Sequence, residues 1–330
     1  MRISLSFGCK RLFHRSADQS YFNLNSSKPI SLYLILLLSM AVWGLSWTNA
    51  KVLSDYGPSS VLAFWRFFFS SIAMIPVLWL TGNDFRVTRQ GMKYILTGAV
   101  FISLYNIFFF MGTAIGSASV GGIIVPTFNP IITFIISVLL LKQVVYRKDI
   151  IGLILGFIGG VIVLQAWTMS LDQIIANGNL YFICASISWG IMSIISGRSH
   201  VHVSTLSFSF WVYTISALIY LGATWNKDIL LIFTYGWIFW VNMFFLSAGA
   251  MVFGTTVYFL GTTRLGPEKA SAFIFTVPVT ALLFSVLLIG ERLEVTTIIG
   301  GIMTITAVYL INKSHERQEP IDKFTSKVLP

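Results

Sequence analysis

The chain has 330 residues, of which 56% are hydrophobic and only 10% are charged, and its formal net charge is +10. Soluble domains carry about a quarter charged residues, and a soluble chain of this length could not bury so much apolar surface. The composition therefore excludes an ordinary soluble protein and indicates a membrane protein. Because the apolar stretches are continuous rather than alternating, they predict transmembrane helices and not the strands of a barrel.

Ten transmembrane helices are predicted from the uncharged runs, because a bilayer core of about 30 Å needs roughly 20 helical residues. The run 94–141 is long enough for two spans, with a turn between Gly112 and Gly121. The run 229–263 is too short for two, so we predict one span with an interfacial lead-in around Trp237 and Trp240. In chain order the stretches are 29–50, 59–83 (interrupted by Arg66), 94–141, 150–171, 173–197, 199–226, 229–263, 270–290 and 295–312.

The basic residues are distributed unevenly between the loops, which predicts the orientation of the spans. With the N-terminus inside, the cytoplasmic segments carry 18 of the 22 Lys and Arg residues and the opposite loops carry three. The tails 1–28 and 313–330 are therefore predicted to be cytoplasmic, in a bacterial inner or equivalent plasma membrane. Residues 1–28 lack the apolar region of a signal peptide and are expected to be retained. A nucleic-acid partner is not expected, because the basic residues are dispersed over short loops.

Several segments of the chain recur in the same order. Pro130–Gly152 resembles Pro278–Gly300 at an offset of 148 residues, and Trp43-Gly44 recurs as Trp189-Gly190 at an offset of 146. Such matches at nearly one offset indicate that one unit was duplicated.

The duplication predicts two five-helix repeats, residues 29–166 and 173–312. Because five is an odd number, the second repeat must cross the membrane in the opposite sense to the first. The interface between inverted repeats is where many transporters place a substrate site with alternating access.

Three short motifs resemble the drug/metabolite transporter superfamily, EamA type. They are the Trp-Gly dipeptide of the first span, the sequence FWRF at 64–67 in the second, and Glu291-Arg292-Leu293 before the last. The resemblance covers about residues 31–312 and implies ten helices in two inverted repeats around a central cavity. It also implies transport of small metabolites and amino acids, often outward. The first repeat departs from the pattern, since Gln143-Val144-Val145 stands where an acidic residue is usual.

No constellation for catalysis is visible, so the chain is predicted not to be an enzyme. It has no Walker loop, no HExxH motif and no histidine within a predicted span. His200 and His202 flank Val201, but no cysteine or carboxylate stands near them, so we expect them to face water rather than bind a metal. No cofactor is expected.

Energy coupling by a membrane-embedded carboxylate is not expected either. Proton-coupled carriers commonly place a carboxylate or histidine at membrane depth, whereas the acidic residues here fall at span ends. A uniport or an exchange mode fits this pattern better. The residues concerned are Asp55, Asp172, Glu268, Glu291 and Glu294.

Arg66 is the only charged residue within a predicted span. An arginine at the centre of a transmembrane helix costs roughly 2.5–3.5 kcal/mol on insertion scales. One interpretation is structural: Arg66 binds backbone carbonyls or holds an outer loop through Asp55. The other is that Arg66 binds a carboxylate of the substrate, and both remain open from the sequence.

Polar and aromatic residues at membrane depth form the predicted substrate site. Trp43 and Trp189 correspond between the repeats and lie too deep for an interfacial belt. Prolines in the fourth and ninth spans free backbone groups, which membranes tolerate where they line a cavity. Candidate substrate-binding residues are Trp43, Arg66, Tyr105, Asn106, Thr127, Asn129, Trp189 and Tyr258, and candidate hinge or cavity-wall residues are Pro126, Pro130 and Pro278.

Together these features predict a secondary transporter of small neutral or zwitterionic metabolites such as amino acids. A phosphorylated substrate would need several cations, which the predicted site lacks. The alternative from another class is a membrane sensor or scaffold without transport. The sequence is compatible with a monomer or a homodimer.

Overall fold

The computed structural model describes residues 29–115, 118–142, 145–163, 165–168, 170, 178–281 and 295–313, and all regular elements in these ranges are helical. Two short 3-10 helices, Ala166–Thr168 and Ile229–Thr234, lie between the long helices. The ninth helix, α9, begins as an α-helix over Pro267–Ala272, becomes a 3-10 helix over Phe273–Thr276 and continues as an α-helix to residue 281. The other bounds are α1 Pro29–Ser54, α2 Ser59–Leu80, α3 Arg89–Ile115, α4 Ala118–Leu141, α5 Arg147–Val163, α6 Gly178–Ser199, α7 Thr205–Ala223, α8 Trp237–Leu265 and α10 Val295–Lys313.

Apolar side chains cover the outside of the helix assembly. Seven helices in the described ranges, α1 to α4 and α6 to α8, are long and apolar enough to cross a membrane. Large apolar side chains project outward from them, with Leu34 63% and Trp79 80% exposed. Exposed apolar surface on this scale requires lipid rather than water as its neighbour. The prediction of an all-helical, multi-pass membrane protein is confirmed.

The stretch 229–263 forms one span with a separate lead-in, as predicted. Residues Ile229–Thr234 form the 3-10 helix, and the continuous helical run starts at Trp237. Within α8 the middle eleven residues, Phe245–Thr255, form a π-helix, which nothing in the sequence indicated. π-Helical segments are rare and frequently lie at functional sites.

Carbonyl groups of this π-helix accept hydrogen bonds from other helices. Ser39 Oγ donates to Gly254 O at 2.8 Å, and Trp43 Nε1 donates to Ala250 O at 3.1 Å. From α7, Tyr213 donates its hydroxyl hydrogen to Met251 O at 3.0 Å. These side chains tie the π-helix to α1 and α7.

The main helix contacts connect the two halves of the sequence. α2 packs on α7, and α5 packs on α10. α3 packs along α6, and in the same way α8 packs along α1. α4 packs on α6, while the 3-10 turn of α9 packs on α1. Each contact is therefore matched by its counterpart when α1–α5 are exchanged for α6–α10.

Two glycines allow close approaches at two of these contacts. A Cβ atom at Gly44 would lie 2.7 Å from Thr280 Oγ1 on α9, and one at Gly190 would lie 2.9 Å from Ile132 Cγ2 on α4. Small residues are what permits helix backbones to approach in membranes. The Trp-Gly dipeptide thus places a tryptophan and a close helix contact side by side in both α1 and α6.

The carboxylates near helix ends differ in their surroundings. Asp55 is exposed, whereas Glu268 is 7% exposed in the first turn of α9 and Asp149 is fully buried in the first turn of α5. Asp149 Oδ2 accepts a hydrogen bond from the Tyr146 backbone N–H at 3.1 Å, which caps α5. Outside the described residues lie both tails, Asp172, and the block Glu291-Arg292-Leu293 with Glu294.

Candidate functional site

A small cavity lies among the helices of both sequence halves. Its volume is about 30 Å³, which is room for one or two water molecules. Side chains from α1, α2, α3, α4, α6, α8 and α9 line it, so both halves contribute to one site. Its wall is aromatic at Trp43, Trp47, Tyr105, Phe109 and Trp189, otherwise apolar at Val125, Pro126, Met251, Ile274 and Val277, and polar at Ser46, Arg66, Asn129 and Thr255.

The aromatic part of the wall is one contiguous cluster. The rings of Trp43 and Trp189 meet edge to face with centroids 5.0 Å apart, and Tyr105 stands 4.6 Å from Trp189. Tyr258 packs behind both tryptophans, at 5.2 Å from Trp43 and 5.4 Å from Trp189. Tyr258 also shares a hydrogen bond of 2.7 Å with Ser193 Oγ, which fixes its ring. Edge-to-face pairs of this kind add about 0.5–1.5 kcal/mol each beyond area burial.

Arg66 brings a positive charge to the cavity wall. Its side chain is 4% exposed, and its guanidinium lies 5.6 Å from the ring centroid of Phe109 and 5.9 Å from that of Phe110. Among the described residues the one ion pair joins Arg86 and Asp84, so no carboxylate in these ranges neutralises Arg66. The expected contact between Arg66 and Asp55 is not formed.

Asn106 holds the guanidinium in place. Arg66 donates from Nη1 to Asn106 Oδ1 at 2.9 Å, and Asn106 Nδ2 donates to Ile102 O at 2.9 Å. The second bond fixes which end of the amide faces Arg66. Asn49, by contrast, bridges helices through a 2.7 Å hydrogen bond to Asn242, which is a structural role.

Polar groups of the wall that have no hydrogen-bond partner among the described residues include the hydroxyl of Tyr105, the side-chain amide of Asn129, Arg66 Nε and the indole Nε1 of Trp189. Asn129 is 2% exposed. Because buried polar groups are nearly always paired, such groups in a cavity wall are suited to a ligand. Neither amide orientation of Asn129 is fixed by the fold, so either its oxygen or its nitrogen can face the cavity.

The remaining predicted site residues lie near the cavity but not in its wall. Thr127 faces α5, since a Cβ at Gly160 would lie 2.9 Å from Thr127 Oγ1. Pro126 and Asn129 are three positions apart and share a helix face, whereas Thr127 is rotated away from it. Asn106 and Tyr258 contact wall residues from behind, and Pro130 and Pro278 are outside the wall.

Several wall residues were absent from the sequence-based set, although a signal for some of them existed. Trp47 follows Trp43 by four positions, and Phe109 follows Tyr105 by four. Residues spaced by four share a helix face, so extending the predicted site by one turn would have found both. Ser46, Val125, Met251, Thr255, Ile274 and Val277 carried no comparable signal.

The fold and the cavity define a multi-pass helical membrane protein whose described residues line an internal site. The family model of the EamA-like transporter family matches the chain twice, over residues 30–165 and 176–313. The chain belongs to this family, which confirms the resemblance seen in the motifs. It is accordingly a member of a transporter family and not an enzyme.

Named relatives agree with this membership. The uncharacterized transporter YyaM of Bacillus subtilis is 25% identical over 289 residues, covering 85% of this chain and 93% of that protein. A protein named S-adenosylmethionine uptake transporter from Rickettsia prowazekii is 28% identical over 185 residues, covering 56% of this chain and 60% of that protein. A solved crystal structure is similar with a TM-score of 0.69 at 16% identity, covering 85% of this chain and 96% of that one.

Proposed function

We propose that this protein is a secondary transporter of small neutral or zwitterionic metabolites such as amino acids. In this proposal two inverted five-helix repeats, 29–166 and 173–312, rock about the cavity and expose it to each side of the membrane in turn. The cavity has a volume of about 30 Å³, so in this proposal movement of the repeats widens it before a substrate binds.

The observation that carries the proposal is the meeting of Trp43 and Trp189 in one cavity wall. These residues occupy corresponding positions of the two sequence halves, so a site that contains both lies where the repeats join. Supporting it, the helix contacts are matched under exchange of α1–α5 for α6–α10. A site at such a junction changes shape whenever the repeats move relative to each other.

The chemistry of the wall supports the substrate class. Aromatic and aliphatic side chains dominate it, and Arg66 is its one charged residue. A phosphate group would call for several cations, whereas a single carboxylate needs one. One relative is named for uptake of S-adenosylmethionine, which shares an α-amino carboxylate group with the proposed substrates but carries a net positive charge.

The direct test is flux in proteoliposomes. Uptake and efflux of labelled amino acids and S-adenosylmethionine should be measured with and without a pH gradient. Trp189→Ala should abolish the flux, while Trp79→Ala, at a residue 80% exposed on the outside, should leave it intact. Flux that follows the pH gradient would contradict the uniport or exchange mode. If Trp79→Ala and Trp189→Ala both carry wild-type flux, the cavity is not the transport site.

A sensor or scaffold function is the weaker alternative. It predicts sensitivity to changes in loops and tails and none to changes in the cavity. Family membership and the polar groups without partners in the cavity wall both favour transport.

A further inference from the structure

The polar groups of the cavity wall retain hydrogen-bonding capacity. The guanidinium of Arg66 carries five N–H donors, and its only hydrogen bond with a described residue is to Asn106. The amide of Asn129 and the hydroxyl of Tyr105 make none in the same ranges. Buried polar groups without a partner destabilise a protein. A ligand that pairs with these groups forms new hydrogen bonds without breaking existing ones.

The charges of the wall restrict the ligand further. Arg66 makes the local field positive, so a solute with net positive charge is repelled. A single carboxylate matches a guanidinium in charge and in planar geometry. Beside it, Asn129 Oδ1 and the faces of Trp43 and Trp189 suit an ammonium group, through a hydrogen bond and cation–π attraction respectively.

Apart from Arg66, the wall offers no charged group to a substrate side chain, and the indole Nε1 of Trp189 can only donate a hydrogen bond. Ser46 and Thr255 line the wall, but their hydroxyls already donate to Trp43 O at 2.7 Å and to Ala250 O at 3.1 Å. Phe109, Met251 and Ile274 therefore leave an apolar surface. A substrate side chain with its own charge would lie there without a partner.

We propose that the cavity selects zwitterionic amino acids with an apolar or aromatic side chain, with the carboxylate on Arg66 and the ammonium group against Asn129. Tyr105 donates a second hydrogen bond to the carboxylate. This inference rests on the proposed transport function and adds the substrate class and its orientation. Asn106 is a positioning residue, because it touches Arg66 and not the cavity.

The first experiment uses the unaltered protein. Counterflow of labelled phenylalanine, methionine and leucine is measured in proteoliposomes, with unlabelled analogues as competitors. Each amino acid is compared with its primary amide and its decarboxylated amine, which lack the carboxylate, and with its N-acetyl form, which lacks the ammonium group. We expect each analogue to compete at least about tenfold more weakly than the parent amino acid, since each leaves a buried group unpaired.

The second experiment uses two matched variants of α4. Asn129→Leu replaces an unpaired amide in the wall by an apolar side chain of similar shape. Thr133→Val removes another fully buried, unpaired polar atom of the same helix that lies outside the wall. Both variants should unfold at or above the wild-type temperature, because neither loses a bond. Asn129→Leu should raise the KM for phenylalanine at least about tenfold, and Thr133→Val should leave it unchanged.

The outcomes separate the two levels of the proposal. Counterflow of the three probes with equal competition by amides and amines, or an unchanged KM in Asn129→Leu, overturns the assigned orientation while transport stands. Absence of counterflow for all three probes overturns the substrate class and the transport of apolar amino acids together. Selective competition with the expected KM change supports both.

Discussion

The indole rings of Trp43 and Trp189 meet edge to face with centroids 5.0 Å apart, although 146 positions separate them in the chain. Each is followed by a glycine that packs against a proline-containing helix of the opposite half, Gly44 on α9 and Gly190 on α4. In each half of the chain, the Trp-Gly dipeptide thus supplies one residue of the cavity wall and one close helix contact. The two contacts are candidates for the surfaces that slide when the site is exposed.

Alanine at these glycines should destabilise the fold unequally. At Gly44 the new Cβ would lie 2.9 Å from the backbone nitrogen of Ala281, whereas at Gly190 its nearest neighbour is a side-chain methyl group of Ile132. A side chain can turn away and backbone cannot, so we expect a loss of about 1–3 kcal/mol for Gly44→Ala and less for Gly190→Ala. Thermal unfolding in detergent checks this. Gly222→Ala, where nothing lies within 4 Å, is the control, and equal stability of all three variants would contradict the described packing.

Asn106→Asp should impair substrate binding. The new carboxylate would face Arg66, whose Nη1 lies 2.9 Å from Asn106 Oδ1, and would neutralise the charge that the substrate carboxylate needs. We expect a KM at least about tenfold higher. Stability changes in two opposing ways, because the new ion pair with Arg66 forms while the hydrogen bond from Asn106 Nδ2 to Ile102 O is lost. The same change at Asn49, which bonds to Asn242 away from the cavity, should leave the KM unaltered. A wild-type KM in Asn106→Asp would contradict the role of Arg66.

Two tyrosines of α7 allow the π-helix to be tested. Tyr213 donates its hydroxyl hydrogen to Met251 O at 3.0 Å within the π-helix, and Tyr220 donates to Ser103 O of α3 at 2.6 Å. Each phenylalanine variant should lose about 1 kcal/mol of stability. If the π-helix moves during transport, only Tyr213→Phe changes the turnover rate. The turnover rate of both variants is measured in proteoliposomes. Equal rates would mean that the hydrogen bond from Tyr213 to Met251 O contributes to stability alone.

Glu268 should make stability depend on pH. It lies beyond Leu265, where the α8 span ends, and before the predicted run 270–290. Burial raises the pKa of its carboxyl group above the ordinary value, and nearby Asp149 acts in the same direction while Lys269 opposes it. A raised pKa in the folded state means that stability is present at low pH and is lost as pH rises through that value.

Glu268→Gln should therefore unfold at a higher temperature than wild type at pH 8 and at a similar one at pH 4.5. The control is Asp55→Asn at an exposed carboxylate, and a difference between Glu268→Gln and wild type that does not vary with pH would contradict the raised pKa.

The sequence predicted the membrane class and most helix positions because lipid leaves few alternatives for the backbone. The run 229–263 forms one span with a lead-in, as predicted, because it is too short for two spans and a turn. We predicted that Trp43 and Trp189 lie in one site because they occupy corresponding positions of the two halves. Such a correspondence relates distant parts of the chain, which helical periodicity alone does not.

Other features depended on information that the sequence does not display. Thr127 was assigned to the site by depth, but the side of a helix that faces a cavity depends on how neighbouring helices pack. Asp55 was proposed for Arg66 by proximity along the chain, whereas the partner is Asn106, forty positions away on α3. The π-helix contains no proline, and its sequence displays no sign of the change in hydrogen-bond register.

The π-helix of α8 gives this span a way to rotate. Its hydrogen bonds close over five residues rather than four, so conversion of Phe245–Thr255 to α-helix would turn Tyr258 about the helix axis with the backbone still paired. That turn would break the bonds from Ser39 and Trp43 to its carbonyl oxygens. The bond from Trp43, a cavity-wall residue, therefore favours the π-helical form of this span.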